Sequence, residues 1–262
     1  MSVQTTYLIA FALVVVVVSL IGSHMHRLSL STDSVSMASS LTSVIVGAKA
    51  KHTATVFWFH GLGDSGAGWS FLADELSNMF PHVKWVLPNA PMIPITINQG
   101  MRMPGWFDLS GLDRSIAQNQ DEKGMLSSMT SINALIRNEV DSGIPSERIV
   151  IGGFSQGCVM SLLTGLTSEY KFGGVIGCSG WLGMHEKFAS MASDANKKTP
   201  ILMCHGDADP VVDYNIGKES ATFLEKLGYD IKFKTYSGLV HSASPQELAD
   251  IANFLKERLP SE

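Results

Sequence analysis

From residue 41 onward, short apolar runs rich in β-branched and aromatic residues alternate with longer stretches of helical period. The runs at 43–46, 54–59, 83–87, 148–152, 174–178, 201–204 and 231–236 predict strands. The stretches at 69–79, 121–142, 157–168, 214–227 and 245–258 predict helices. The later strands are apolar throughout, as strands buried on both faces must be. Strand–helix alternation implies βαβ units. The expected fold class is therefore α/β, one domain over 41–262 with a mostly parallel central sheet and helices on both faces. Ligands of such sheets bind beyond the carboxyl ends of the strands.

Two regions break the alternation. Residues 88–111 (PNAPMIPITINQGMRMPGWFDLSG) have no helical period and are rich in Met, Pro and aromatics. A long irregular loop in a compact domain usually serves function, so it reads as a lid or cleft wall. A loop that simply packs on the sheet is the competing reading. Residues 1–40 lie outside the alternating pattern. Residues 7–22 (YLIAFALVVVVVSLIG) carry no charge, and 27–40 are a Ser-, Thr- and Met-rich linker. Sixteen helical residues would span about 24 Å, somewhat short of a bilayer's hydrocarbon core. A membrane anchor and a cleaved secretory signal both fit. Residues 1–6 lack the basic residue usual before a signal, which favours the anchor. Arg27, after the segment, would then leave the domain on the cytoplasmic face.

Composition narrows the function. The chain is 45% hydrophobic and 16% charged, with a net charge of -5, and it has no basic stripe, so nucleic acid is not an expected partner. Its three cysteines, Cys158, Cys178 and Cys204, all fall in apolar segments. An odd, sparse set is no disulfide framework, and the spacing suggests no metal site. No metal or organic cofactor is expected. The oligomeric state is left open.

The chemistry concentrates at Gly153-Phe154-Ser155-Gln156-Gly157. It is a G-x-S-x-G motif between a predicted strand and a predicted helix, the context of a nucleophile elbow. The flanking glycines let strand and helix approach closely, and the helix N-terminus favours negative charge at Ser155. A serine hydroxyl needs a base, and the base needs an orienting carboxylate. In α/β-hydrolases these follow in the order Ser, Asp or Glu, His. Asp207 and Asp209 both follow the strand at 201–204, and His241 follows the last strand. Asp209, just before Pro210, is the expected acid. Asp207 is expected to hold the loop through backbone hydrogen bonds. Of eight histidines, only His241 lies after the last strand in a glycine-containing loop. His205 reads as a structural turn residue, and His52, His82 and His185 as surface or loop residues. The oxyanion of an acyl-transfer intermediate needs two backbone N–H donors. Gln156 and, in the glycine-rich loop after the strand at 54–59, Leu62 are the candidates.

These residues together make the chain resemble the acyl-protein thioesterase and lysophospholipase family, small carboxylesterases of the α/β-hydrolase superfamily. The matching stretches are FHGLGDSG, PNAP, MPGWFD, GIPSERIVIGGFSQG, CHGDADPVV and FKTYSGLVHSAS, in the family's order. The resemblance implies hydrolysis of long acyl thioesters on S-acylated proteins, with lysophospholipids and other lipid or simple esters as related substrates. It supports Asp209 and His241 as partners of Ser155, and Leu62 and Gln156 as oxyanion donors. It also implies an acyl tunnel shaped by residues 94–106, for which Ile95, Met101, Met103, Trp106, Phe107 and Trp181 are the candidate lining. Departures are Cys158 after the elbow's second glycine, and Leu239-Val240 before the histidine where the family commonly has methionines. Two rival readings remain: a carboxylesterase of small or lipid oxygen esters, and a ligand receptor on a hydrolase scaffold.

Overall fold

The structure, a computed structural model, describes residues 41–112 and 119–261. The apolar segment at 7–22 and the linker at 27–40 lie outside the described residues. Among those described, no helix is long and apolar enough to cross a membrane.

Seven strands form the main sheet: β1 (Ser43–Val46), β2 (Ala54–Phe59), β3 (Val83–Pro88), β6 (Ile149–Phe154), β7 (Gly174–Cys178), β8 (Ile201–Gly206) and β9 (Ile231–Tyr236). Their spatial order is β1-β3-β2-β6-β7-β8-β9. Only the β1–β3 pair is antiparallel. All seven predicted strands form, and β6 and β8 each run two residues further than their patterns suggest. Among the described residues the six helices are α1 (Ser70–Leu76), α2 (Glu122–Asp141), α3 (Gln156–Thr167), α4 (His185–Met191), α5 (Tyr214–Lys226) and α6 (Pro245–Arg258). Sequence periodicity missed α4, which buries only Phe188 and so shows no apolar repeat, whereas the equally short α1 buries Leu72, Ala73 and Leu76.

The period-2 alternation of the strands divides the core in two. Phe57, Phe59, Ile149 and Ile151 face one side, against Met125, Met129 and Ile132 of α2 and Val159 and Leu162 of α3. Val56, Trp58 and Val150 face the other, against Leu72 and Leu76 of α1 and Ile251 and Leu255 of α6. Central strands are thus buried on both faces, which their unbroken apolar sequences require.

The region at 88–111 corrects the expectation of an irregular loop. It contains an antiparallel hairpin, β4 (Met92–Ile95) paired with β5 (Met101–Pro104), in register from Met92↔Pro104 to Ile95↔Met101. Pro94 and Pro104 masked the pattern, because proline normally argues against a strand interior. A two-stranded ribbon leaves edge positions where a missing N–H costs nothing. His82 lies in the turn before β3, as a loop residue, but not at the surface. It is buried, and its Nε2 lies 3.0 Å from the Leu259 carbonyl.

The three cysteines are free and buried. Cys178 and Cys204 are register partners on β7 and β8, and their sulfurs lie within 4.8 Å of each other and of the Glu247 carboxylate. Sequence spacing could not reveal this grouping, which arises between neighbouring strands and α6. Ser244 caps α6 by accepting the Glu247 N–H at 3.1 Å, drawing Glu247 into the first helical turn and out of water. Burial, partly offset by the Cys178 thiol and the Ser244 N–H, pushes the Glu247 carboxyl up to about 7.

The pH dependence of Glu247 follows from that shift. A carboxyl raised from 4.5 to about 7 contributes stability below pH 4.5 that disappears as pH rises through 7, a swing of about 3 kcal/mol. Glu247→Gln should therefore gain on the wild type between pH 5 and pH 8, read as urea midpoints at both pH values. An unchanged difference between the two proteins would rule this out. At the elbow, a Cβ on Gly157 would lie 1.9 Å from the Phe59 carbonyl oxygen. Gly157→Ala should cost at least about 2 kcal/mol in urea unfolding, since the atoms that the added Cβ would meet belong to packed backbone.

Candidate active site

β6 delivers the candidate nucleophile. Ser155 sits between the end of β6 and the start of α3 with φ 56 and ψ -118. A non-glycine residue there is strained by about 1–3 kcal/mol and persists only where its surroundings dictate it. Here they do. The Ser155 N–H donates to the Cys178 carbonyl at 2.9 Å, and the Ser155 carbonyl accepts the Cys158 N–H at 2.9 Å. A Cβ on Gly153 would meet the Gly157 carbonyl oxygen at 2.3 Å, so helix and strand touch backbone to backbone. Cys158 fills the space over Gly177 and Gly180, where added Cβ atoms would each meet its sulfur at 2.7 Å. The serine side chain is half-buried at the N-terminus of a twelve-residue helix, whose dipole favours negative charge.

The candidate acid and base come from β8 and β9. Asp209 is fully buried at its side chain, and its Oδ2 accepts the His241 Nδ1–H at 2.7 Å. A carboxylate only accepts, so the proton of a neutral His241 lies on Nδ1 and its Nε2 keeps a lone pair. Asp209 Oδ1 accepts the N–H groups of Val211 at 2.8 Å and Val212 at 3.0 Å. Burial works against ionisation of Asp209. Hydrogen bonds from His205, His241 and the Val212 N–H overcome it and hold the carboxyl well below the usual range. The His241 ring lies 4.7 Å from that of Phe154, the residue before Ser155. Asp207 is exposed, and its Oδ1 accepts the Gly238 N–H at 2.6 Å, which braces the His241 loop. The two loops meet at Gly206, where a Cβ would lie 2.1 Å from the Leu239 carbonyl oxygen.

Sequence reasoning assigned His205 only a structural role in a turn. It lies on β8, wholly buried, with Nε2 3.0 Å from the Val212 carbonyl and 3.4 Å from Asp209 Oδ2. The signal available was its position four residues before Asp209.

The loop after β2 approaches Ser155 from the other side. A Cβ on Gly61 would lie 3.3 Å from Ser155 Cβ. Gly63, with φ 77, turns the chain and donates to the Pro104 carbonyl at 2.8 Å. The Asp64 N–H returns to the Gly61 carbonyl at 3.3 Å, which leaves Leu62 and Gly63 as the central residues of a tight turn. His60 fixes the base of the loop. Its Nδ1–H donates to the Gly61 carbonyl at 2.7 Å, and its Nε2 accepts the Ala90 N–H at 3.0 Å. Burial lowers the pKa of His60, which suits a ring that must accept at Nε2. Gln156, the other candidate donor, has its N–H in the first turn of α3, where no intrahelical acceptor exists. Its buried side chain accepts the Trp106 N–H at 3.0 Å and donates to the Phe107 carbonyl at 2.8 Å.

The six candidate lining residues are not equivalent. Ile95, Trp106, Phe107 and Trp181 are buried in the core, so they form the packed backing of a wall. Trp106 Nε1–H donates to the His60 carbonyl at 2.8 Å, and Phe107 meets Trp181 edge to face at 6.2 Å. Ile95 and Leu62 converge over Gly105, where a Cβ would approach their Cδ1 atoms at 3.2 and 3.1 Å. Half-buried Met103 lies beside the Gly63 turn, its sulfur 3.8 Å from where a Gly63 Cβ would stand. Met101 is 49% exposed on the hairpin. A cleft of about 290 Å³ opens behind the hairpin, walled by Ile93, Pro94, Trp106, Asp108 and Asp121. Ser155, Asp209 and His241 are not among its walls.

Comparison with known proteins agrees with this architecture. Acyl-protein thioesterase 1 of Neurospora crassa is 49% identical over 224 residues, covering 83% of this chain and 91% of that one. The crystal structure of Arabidopsis thaliana SOBER1 is 35% identical with a TM-score of 0.73, covering 79% of this chain and 99% of that one. The crystal structure of Zea mays acyl-protein thioesterase 2 is 30% identical with a TM-score of 0.74, covering 83% and 99%. The family described as phospholipase/carboxylesterase matches residues 41–259, the whole of the sheet and its helices, and this chain belongs to it.

Proposed function

We propose that this protein is a serine hydrolase that cleaves long-chain acyl thioesters from S-acylated proteins, with esterase and lysophospholipase side activity. The observation that carries the reading is the 2.7 Å bond between buried Asp209 and His241, formed beside the strained Ser155 turn. The names of the relatives support the substrate class. His241 Nε2 takes the Ser155 proton as Oγ attacks the acyl carbonyl. The Leu62 and Gln156 N–H groups hold the resulting oxyanion. His241 then returns the proton to the leaving sulfur, which departs as a cysteine thiol. Water, deprotonated by His241, attacks the acyl-enzyme, releasing the fatty acid and restoring Ser155. Asp209 holds the imidazole in the required tautomer and stabilises its charged form. Gln156 has a second task, since its side chain ties the Trp106–Phe107 wall to the elbow that carries the nucleophile.

Hydrolysis of matched thioesters and oxygen esters over a series of chain lengths tests the reading. Wild type should prefer long-chain thioesters, and Ser155→Ala should lose about 10⁴-fold or more in kcat while unfolding at the wild-type midpoint. Preference for short oxygen esters would reassign the protein as a general carboxylesterase. Turnover that survives Ser155→Ala would remove the mechanism.

Membrane-bound substrates give the apolar residues 7–22 a role. We infer a peptide anchor that holds the domain at the cytoplasmic face. A fluorescent reporter fused to residues 1–30 should sediment with membranes. A soluble reporter, or one secreted after cleavage, would exclude the anchor.

A further inference from the structure

We propose that His205 is a positioning residue for the reaction, a second imidazole that fixes the Asp209 carboxylate at the same oxygen that binds His241. The inference rests on the assignment of Ser155, Asp209 and His241 given above.

Asp209 Oδ2 faces two imidazoles, His241 Nδ1 at 2.7 Å and His205 Nε2 at 3.4 Å. Oδ1 is taken by the Val211 and Val212 N–H groups. The tautomer of His205 follows from its surroundings. Its Nε2 faces two acceptors, the Val212 carbonyl at 3.0 Å and the carboxylate, so Nε2 must carry the proton. Its Nδ1 is buried without a hydrogen-bond partner. A Cβ on Gly217 of α5 would lie 2.3 Å from that Nδ1, so α5 seats the ring by presenting backbone alone. Tyr214, also on α5, closes the remaining side with its ring edge-on at 5.9 Å and 86°.

The consequence is mechanical as well as electrostatic. The 209–212 turn closes on itself through Asp209 Oδ1, and His205 bridges its two ends by donating towards both Oδ2 and the Val212 carbonyl. The carboxylate plane, and with it the direction of the His241 imidazole, is thereby set by a residue on the rigid sheet. A purely structural histidine would be asked only to fill volume. This one directs its single N–H to the Val212 carbonyl at 3.0 Å, with the carboxylate oxygen that binds the base 3.4 Å away.

Four variants separate the two roles: His205→Ala, His205→Asn, His205→Gln and Gly217→Ala. Glutamine can place an N–H near the position of Nε2, whereas asparagine reaches only that of Nδ1. We expect His205→Ala and His205→Asn to lose about ten- to hundredfold in kcat with KM little changed, and His205→Gln to recover most of it. Gly217→Ala improves helix propensity yet should push the ring, and so lower kcat in the same direction. The low-field proton of the Asp209–His241 bond in the one-dimensional NMR spectrum should shift or broaden in the Ala, Asn and Gly217 variants and persist in His205→Gln. Wild-type kcat and an unmoved low-field proton in His205→Asn and Gly217→Ala would overturn the inference, as would equal losses in the Asn and Gln variants. Labelling of wild-type Ser155 by a fluorophosphonate keeps this result apart from the parent assignment. Labelling with unaffected His205 variants defeats the His205 role alone, and absence of labelling defeats both.

Discussion

The structure depends on the close contact of backbones at the Ser155 turn. β6 enters and α3 leaves with nothing between them but Gly153 and Gly157, and the carbonyl of Phe59 on β2 closes the gap. That contact forces Ser155 into a conformation few serines adopt, and the Cys178 carbonyl of β7 holds it there. Three adjacent parallel strands thus converge on one residue. The strain at Ser155 is sustained by the burial of those strands on both faces, which makes the local geometry a property of the whole core.

Asp209 and His241, the candidate acid and base, are supplied by the same logic further along the sheet. β8 and β9 are neighbours, so the loops at their carboxyl ends must meet, and Gly206 lets them touch. Asp209 has no exposed side-chain surface and would be costly to ionise there, were it not for the donors around it. Those donors come from its own turn, from β8 and from the loop after β9. A carboxylate so surrounded stays charged and cannot rotate, which is what an imidazole needs from its partner.

The third component, the loop after β2 and the hairpin above it, is bound to the elbow through side chains instead of strand pairing. His60 joins the Gly61 carbonyl to Ala90, Trp106 returns to the His60 carbonyl, and Gln156 grips Trp106 and Phe107 together. The Trp106–Phe107 segment is consequently fixed both to the loop that carries Leu62 and to Gln156. Its apolar residues are largely turned inward, so they support the cleft and leave Met103 and Leu62 nearer its surface.

The sequence by itself determined the sheet, five of the six helices among the described residues, and the order of Ser155, Asp209 and His241. These are local or periodic properties: continuous apolar runs, a 3.6-residue repeat, and glycines flanking a serine. It also separated Asp207 from Asp209, because a residue before proline in a strand-end loop differs from one that caps a turn. Only the tertiary structure decided which groups lie side by side. The β4–β5 hairpin was hidden by two prolines tolerated on a ribbon edge, and α4 by having a single buried residue, Phe188. The pairing of Cys178 with Cys204 and their approach to Glu247 depend on strand register and on where α6 lands. So does the place of His205 beside Asp209, which a reading of loops alone assigned to a turn. Distances between residues far apart in sequence are set by packing, and packing is a property of the whole chain that no local pattern encodes.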